Sequence, residues 1–182
     1  MASPVASEFE EAVLPHLDAA YNLARWLVRD RASAEDVVQD AMVRALSYFR
    51  SYRGGDARAW LLRIVRNEAY GALAAHKRRA TTSLEDIGDG DAPALQVADP
   101  AANPEVALAR REGLAQLEQA LSALPIELRE CLVLRELEEL SYKEIGHVTG
   151  VPIGTVMSRL WRARQALALQ APKCGNAEGA QA

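Results

Sequence analysis

Residues 141–167, SYKEIGHVTGVPIGTVMSRLWRARQAL, leave the chain little choice of local structure. Ser141 followed three positions later by Glu144 spells a capping box, so a short helix begins there with Ile145 and Val148 on its inner side. Gly146 falls where two helices must approach closely. Gly150 supplies the left-handed residue that lets the chain reverse just past a helix end, because glycine has no Cβ to clash there. Pro152 then suits the first position of a second helix, in which Val156 and Leu160 lie one turn apart and Leu167 continues the apolar stripe. The opposite side carries Thr155, Ser158, Trp161, Arg162 and Gln165. Hydroxyl, amide and guanidinium donors beside an aromatic plane are what the groove edges and phosphates of DNA require. An ordinary helical hairpin with a solvated basic face would show the same spacing.

Charge sharpens this reading. The 182 residues carry a net charge of −4, which taken alone argues against nucleic acid. The charge is segregated, however: residues 50–80 hold eight Lys or Arg against two Asp or Glu, and residues 151–182 hold four against one. The remaining segments are acidic. Two basic patches in an acidic protein suggest two DNA contacts and a further surface for a different partner. A hydrophobic content of 49% with only 5% aromatics fits helix packing better than sheets.

Several functions are disfavoured. The N-terminal MASPVASEFEEAV has neither a basic nor an apolar leader region. No window approaches the roughly eighteen apolar residues of a membrane span, so no membrane insertion and a cytoplasmic location are expected. Cys131 and Cys174 stand far apart, and His16, His76 and His147 show no ligand spacing, so neither metal nor cofactor is expected. There is no Ser/His/Asp or Cys/His set and no phosphate-cradling glycine loop, so an enzyme is not expected.

Along the chain, Phe9, Val13, Leu17, Tyr21, Ala24 and Leu27 or Val28 predict one amphipathic helix over 9–29, with Pro15 a point of kinking. Ser33 with Asp36 marks the next start. That helix has an inner side of Val37, Val38, Ala41, Met42, Ala45, Leu46 and Phe49. Its other face shows Glu35, Asp36, Gln39, Asp40 and Arg44, which composition alone would leave to solvent. Gly54 and Gly55 break the chain before a helix over 56–79 that Asp56 can cap, with Trp60, Leu61, Ile64 and Val65 inward. Arg58, Arg63, Arg66, Lys77, Arg78 and Arg79 run along it, flanked by Tyr48, Phe49, Tyr52 and Trp60. Aromatics beside basic residues are how proteins hold the unstacked bases of single strands, although Phe49 and Trp60 also suit a core. Periodicity then lapses over 81–104, rich in Asp, Gly, Ala and Pro, which reads as a linker. Leucines at 108, 114, 117, 121 and 124 restore a helix, and 126–140 forms another with Leu128, Leu132, Val133 and Leu137 inward. The tail, 171–182, is small and polar and reads as disordered.

With these motifs in view, the chain resembles an extracytoplasmic-function (ECF) sigma factor of the bacterial sigma-70 family. Three stretches carry the resemblance: AEDVVQDAMVRAL, FRSYRGGDARAWLLRIVRNEA, and SALPIELRECLVLRELEELSYKEIGHVTGVPIGTVMSRLWRARQAL. It implies an all-α fold of two small helical domains, residues 8–80 and 105–170, joined by a flexible acidic linker. The first would bind core RNA polymerase and the downstream promoter element, and the second would read the upstream element by helix-turn-helix. Asp36, Gln39, Asp40 and Arg44 then match the helix that docks on polymerase, which reverses the solvated reading of that face. The resemblance puts the loop from Arg53 to Asp56 around an extruded base and Asn67 at the downstream element, with Arg63 and Arg66 in the basic patch between. Ser158, Arg159 and Arg162 match DNA-contacting positions, beside Thr155 and Trp161 on the same helix. Met157 departs from the family, where a basic residue is common.

The implied partners are core polymerase, promoter DNA and an anti-sigma factor. A stand-alone helix-turn-helix regulator would explain the C-terminal hairpin equally well, and a protein-interaction module with a degenerate DNA face is a third reading. Glu85, Asp86, Asp89 and Asp91 give the linker an acidic run suited to a basic channel, or simply to a solvated spacer.

Overall fold

The structure, a computed structural model, describes the backbone over 4–82 and 104–170 and the side chains over 7–80, 113 and 115–170. Every regular element among these residues is helical. The expectations for the linker and the tail, including Glu85, Asp86, Asp89 and Asp91, lie outside the described residues.

The N-terminal periodic stretch is two helices rather than one. Helix α1 (Pro4–Val13) passes through a turn of 3-10 helix at Leu14–His16 into α2 (Leu17–Val28). Pro15 has no amide hydrogen to continue the α-helical ladder, so the chain tightens there. The turn shifts the phase of the stripe: Leu23, Ala24 and Leu27 are buried, whereas Leu17, expected inside, is exposed. Helix α2 ends on Arg29 in the left-handed conformation. Asp30, not Ser33, caps the next helix, its carboxylate accepting from the Ser33 amide at 2.7 Å. Helix α3 (Arg31–Tyr48) buries Ala34, Val37, Val38, Ala41 and Ala45 but leaves Leu46 exposed. Gly54 and Gly55 take positive φ, and Asp56 caps α4 (Ala57–Thr82) by accepting from the Ala59 amide at 3.0 Å. Helices α2, α3 and α4 pack on one another, and Leu61, Leu62 and Val65 of α4 fill the centre of this first unit.

The second unit comprises α5 (Pro104–Ala123), α6 (Ile126–Glu136), α7 (Tyr142–Thr149) and α8 (Ile153–Gln170). Helix α6 stops short of the expected residue 140. The amides of Glu138 and Leu140 turn back onto the carbonyls of Val133 and Leu134, so Leu140 is buried and Leu137, expected in the core, is exposed. Ser141 and Glu144 form the full capping box, and Gly150 ends α7 at φ +73°. A Cβ on Gly146 would stand 3.0 Å from the Val151 carbonyl oxygen, which is the close approach the sequence implied. Ile145, Val148, Val156, Leu160 and Ala163 lock α7 and α8 together over α6.

The two units are not held by the linker alone. Helix α7 lies on α4 and α6 lies on α2, forming a seam between the domains.

Candidate nucleic-acid interface

The outward face of α3 is a composite. Asp36, Gln39, Asp40 and Arg44 are all exposed, because the buried residues of α3 occupy its opposite side. Arg44 donates to Glu68 of α4 at 2.8 Å, which draws it to one edge. Between these polar groups lie Val43, 67% exposed, and Tyr48, 58% exposed, beside a shallow depression of about 500 Å³. An apolar centre rimmed by charge is the anatomy of a protein interface. Reading the polar residues alone missed Val43, although its place one turn after Gln39 was there to be found.

Around the loop before α4, three of the four sequence-predicted aromatics, Phe49, Tyr52 and Trp60, collect into one cluster, whereas Tyr48 stays exposed at the end of α3. Phe49 is buried and stacks on Tyr52 with ring centroids 5.7 Å apart, and Tyr52 meets Trp60 at 5.0 Å. The Tyr52 hydroxyl donates to the Gly55 carbonyl at 2.7 Å, which fixes the loop that carries Arg53 and Asp56 into solvent. Tyr52, Arg53, Asp56 and Trp60 face Lys143, Glu144 and His147 of α7 across a cleft of about 570 Å³. Arg63 and Asn67 are exposed on α4, whereas Arg66 is half-buried.

On α8, Ser158, Trp161 and Arg162 are exposed, and Thr155 and Arg159 are half-buried. Ser158 donates to the Thr155 carbonyl at 3.0 Å, and Arg162 to the Ser158 carbonyl at 3.4 Å. Ile153, Met157 and Trp161, four residues apart in turn, form an exposed apolar stripe beside these donors.

Arg66 and Arg159 meet at Glu130, which the sequence reading did not single out. Its carboxylate is fully buried and accepts from Arg66 at 2.8 Å, from the Tyr70 hydroxyl at 3.0 Å and from Arg159 at 3.1 Å. Burial would push Arg66 down, but the bond to Glu130 holds it above its ordinary value. Burial and then the Glu130 charge push the Tyr70 phenol well up. A second carboxylate, Glu138, takes Arg58 and, at 3.4 Å, Asn22. The signal for Glu130 was its register, since it shares a helical face with the buried Val133 and Leu134.

Among the described residues no cluster of His, Cys, Asp or Glu is arranged to hold a metal ion, and no helix is long and apolar enough to cross a membrane.

Comparison with known proteins matches both units. The family described as Sigma-70 region 2 matches residues 12–79, and Sigma-70, region 4 matches residues 114–167. The chain is 37% identical over 165 residues to the RNA polymerase sigma-H factor of Pseudomonas aeruginosa, covering 87% of this chain and 83% of that protein. It is 37% identical over 137 residues to the ECF RNA polymerase sigma-E factor of Escherichia coli K12, covering 72% and 70%. Among solved structures, the sigma factor RpoE in complex with the anti-sigma factor NepR from Bartonella quintana superposes with a TM-score of 0.75 at 27% identity. That match covers 90% of this chain and 96% of the other. The chain therefore belongs to the extracytoplasmic-function group of the sigma-70 family of RNA polymerase sigma factors.

Proposed function

We propose that this sigma factor docks on core polymerase through the outward face of α3 and carries it to promoters recognised by the loop before α4, by α4 and by α8. The observation that carries the reading is the division of labour on α8. Val156, Leu160 and Ala163 are buried, which leaves Ser158, Trp161 and Arg162 facing outward on a helix fixed by its own hairpin. Side chains held rigidly at a groove's depth can read base edges, and phosphate contacts from the same helix set its register. Asp36, Gln39 and Asp40, with Val43 between them, form the polymerase surface, with Arg44 at its edge. Arg53, Asp56, Arg63, Arg66 and Asn67 serve the downstream element, and Thr155, Ser158, Arg159, Trp161 and Arg162 the upstream one.

This role needs no covalent chemistry by the chain, and it sets the site of action in the cytoplasm with polymerase and promoter. An anti-sigma partner follows from the RpoE complex that the chain resembles. Reconstituted transcription tests the reading: added to purified core polymerase, the protein gives promoter-dependent transcripts. A chain that binds promoter duplex but never supports initiation with core polymerase is instead a stand-alone regulator.

A further inference from the structure

Three arginines in and beside the seam are answered by carboxylates: Arg66 and Arg159 by Glu130, and Arg58 by Glu138. Two others are not. Arg129 of α6 is only 6% exposed, and its Nε and Nη1 are buried without a hydrogen-bond partner. Arg29, at the left-handed end of α2, leaves its own Nε buried and unbonded. Helix α6 packs on α2, and the two guanidinium charges act on each other: burial first, and then Arg29, push Arg129 down to about 10. Arg129 therefore stays cationic at neutral pH. Burying a cation without a counter-charge is among the least favourable arrangements a fold can hold.

The carboxylates next to them in the chain are engaged. Glu130, next to Arg129 in the chain, already accepts from Arg66, Tyr70 and Arg159. Asp30, next to Arg29, caps α3 through Ser33 and lies within reach of the Arg25 charge. Neither Arg29 nor Arg129 forms an ion pair among the described residues.

We propose that Arg29 and Arg129 form a binding site for a phosphate group, held between the two domains. Guanidinium forks arriving from two elements match the oxygens of a tetrahedral anion, and a dianion cancels two charges where a carboxylate cancels one. The group is either inorganic phosphate or the terminal phosphate of a nucleotide, since the recognition chemistry is the same. Arg29 belongs to the first domain and Arg129 to the second, so the site is complete only while the seam is closed. Bound phosphate holds it shut. A closed seam keeps Arg66 on Glu130 and away from a promoter; only that consequence rests on the function proposed above.

The test uses the full chain at constant ionic strength, with inorganic phosphate replacing chloride, read by calorimetry and by thermal melting. The parent gives a saturable heat and a rise in melting temperature. Arg129→Met and Arg29→Gln bind at least tenfold more weakly. In chloride, Arg129→Met melts no lower than the parent, because it removes an unanswered charge and keeps an apolar stem of similar length. A nucleoside diphosphate that binds at least tenfold more tightly than inorganic phosphate assigns the site to a nucleotide, and equal binding assigns it to the free ion. A parent that responds to phosphate no more than to chloride, or an Arg29→Gln protein that responds as the parent does, overturns the site. Neither readout involves polymerase, so failure of the sigma-factor reading would leave this result interpretable.

Discussion

Glu130 of α6 accepts a hydrogen bond from Arg66 of α4 at 2.8 Å, so a fully buried carboxylate of one domain ties down a cation of the other. Arg159 of α8 reaches the same carboxylate at 3.1 Å from within its own domain. Two residues expected on DNA are thus neutralised inside the closed molecule. For Arg66 to reach a promoter, the seam has to open.

Glu130→Ala should destabilise the protein by about 3–5 kcal/mol, because it leaves buried guanidiniums uncompensated. Arg66→Met should weaken only the seam, and Arg159→Met should lower the stability of the second domain itself. Urea unfolding followed by circular dichroism measures all three. A cost below about 1 kcal/mol for Glu130→Ala would mean that its ion pairs do not form in solution.

Charge reversal at Asp36 or Asp40, or Val43→Asp, should weaken binding to core polymerase and change fold stability by no more than about 0.5 kcal/mol, since these positions are exposed. Titration of labelled protein with core polymerase checks this. Undiminished affinity in all three variants would move the docking surface elsewhere.

Arg162→Ala should cost about 1–3 kcal/mol of upstream-element binding by the holoenzyme and relax preference at one base pair, if the guanidinium reads a base edge. Ser158→Ala should cost about 1 kcal/mol, as one neutral hydrogen bond does. Binding isotherms on matched and altered promoters separate base reading from phosphate contact, since a phosphate contact is lost equally on every sequence.

The buried thiol of Cys131 predicts a loss of stability in alkali. Burial first, and then the Glu130 charge, raise its pKa from the ordinary 9.0 to about 11. Between those values the unfolded chain releases the proton and the folded one keeps it. The unfolded state then binds fewer protons, and stability falls as pH rises. Tyr70, also pushed up, acts in the same direction. Stability measured from pH 8 to 11 should decline, and Cys131→Ala should flatten the first part of the fall. A flat profile in the parent would show that neither group is protonated preferentially in the fold.

The hairpin of α7 and α8 was legible because its signals act over a few residues, although Pro152 stands just before α8 rather than at its first position. A serine and a glutamate close a cap, a glycine takes a left-handed turn, and residues one turn apart share a face. The same local logic predicted the bend at Pro15 and the cap of α4 by Asp56. It failed wherever burial depends on the phase between elements: Leu17, Leu46 and Leu137 continue apolar stripes in sequence but are exposed in the fold. The seam lay further out of reach. Arg66 and Glu130 are 64 positions apart, and nothing in either neighbourhood names the other. A lone glutamate in an apolar run states only that a charge needs a partner. Which cation answers it, and which arginines are left unanswered, is decided by long-range packing, because the free energy of a buried charge depends on everything brought within a few ångströms of it.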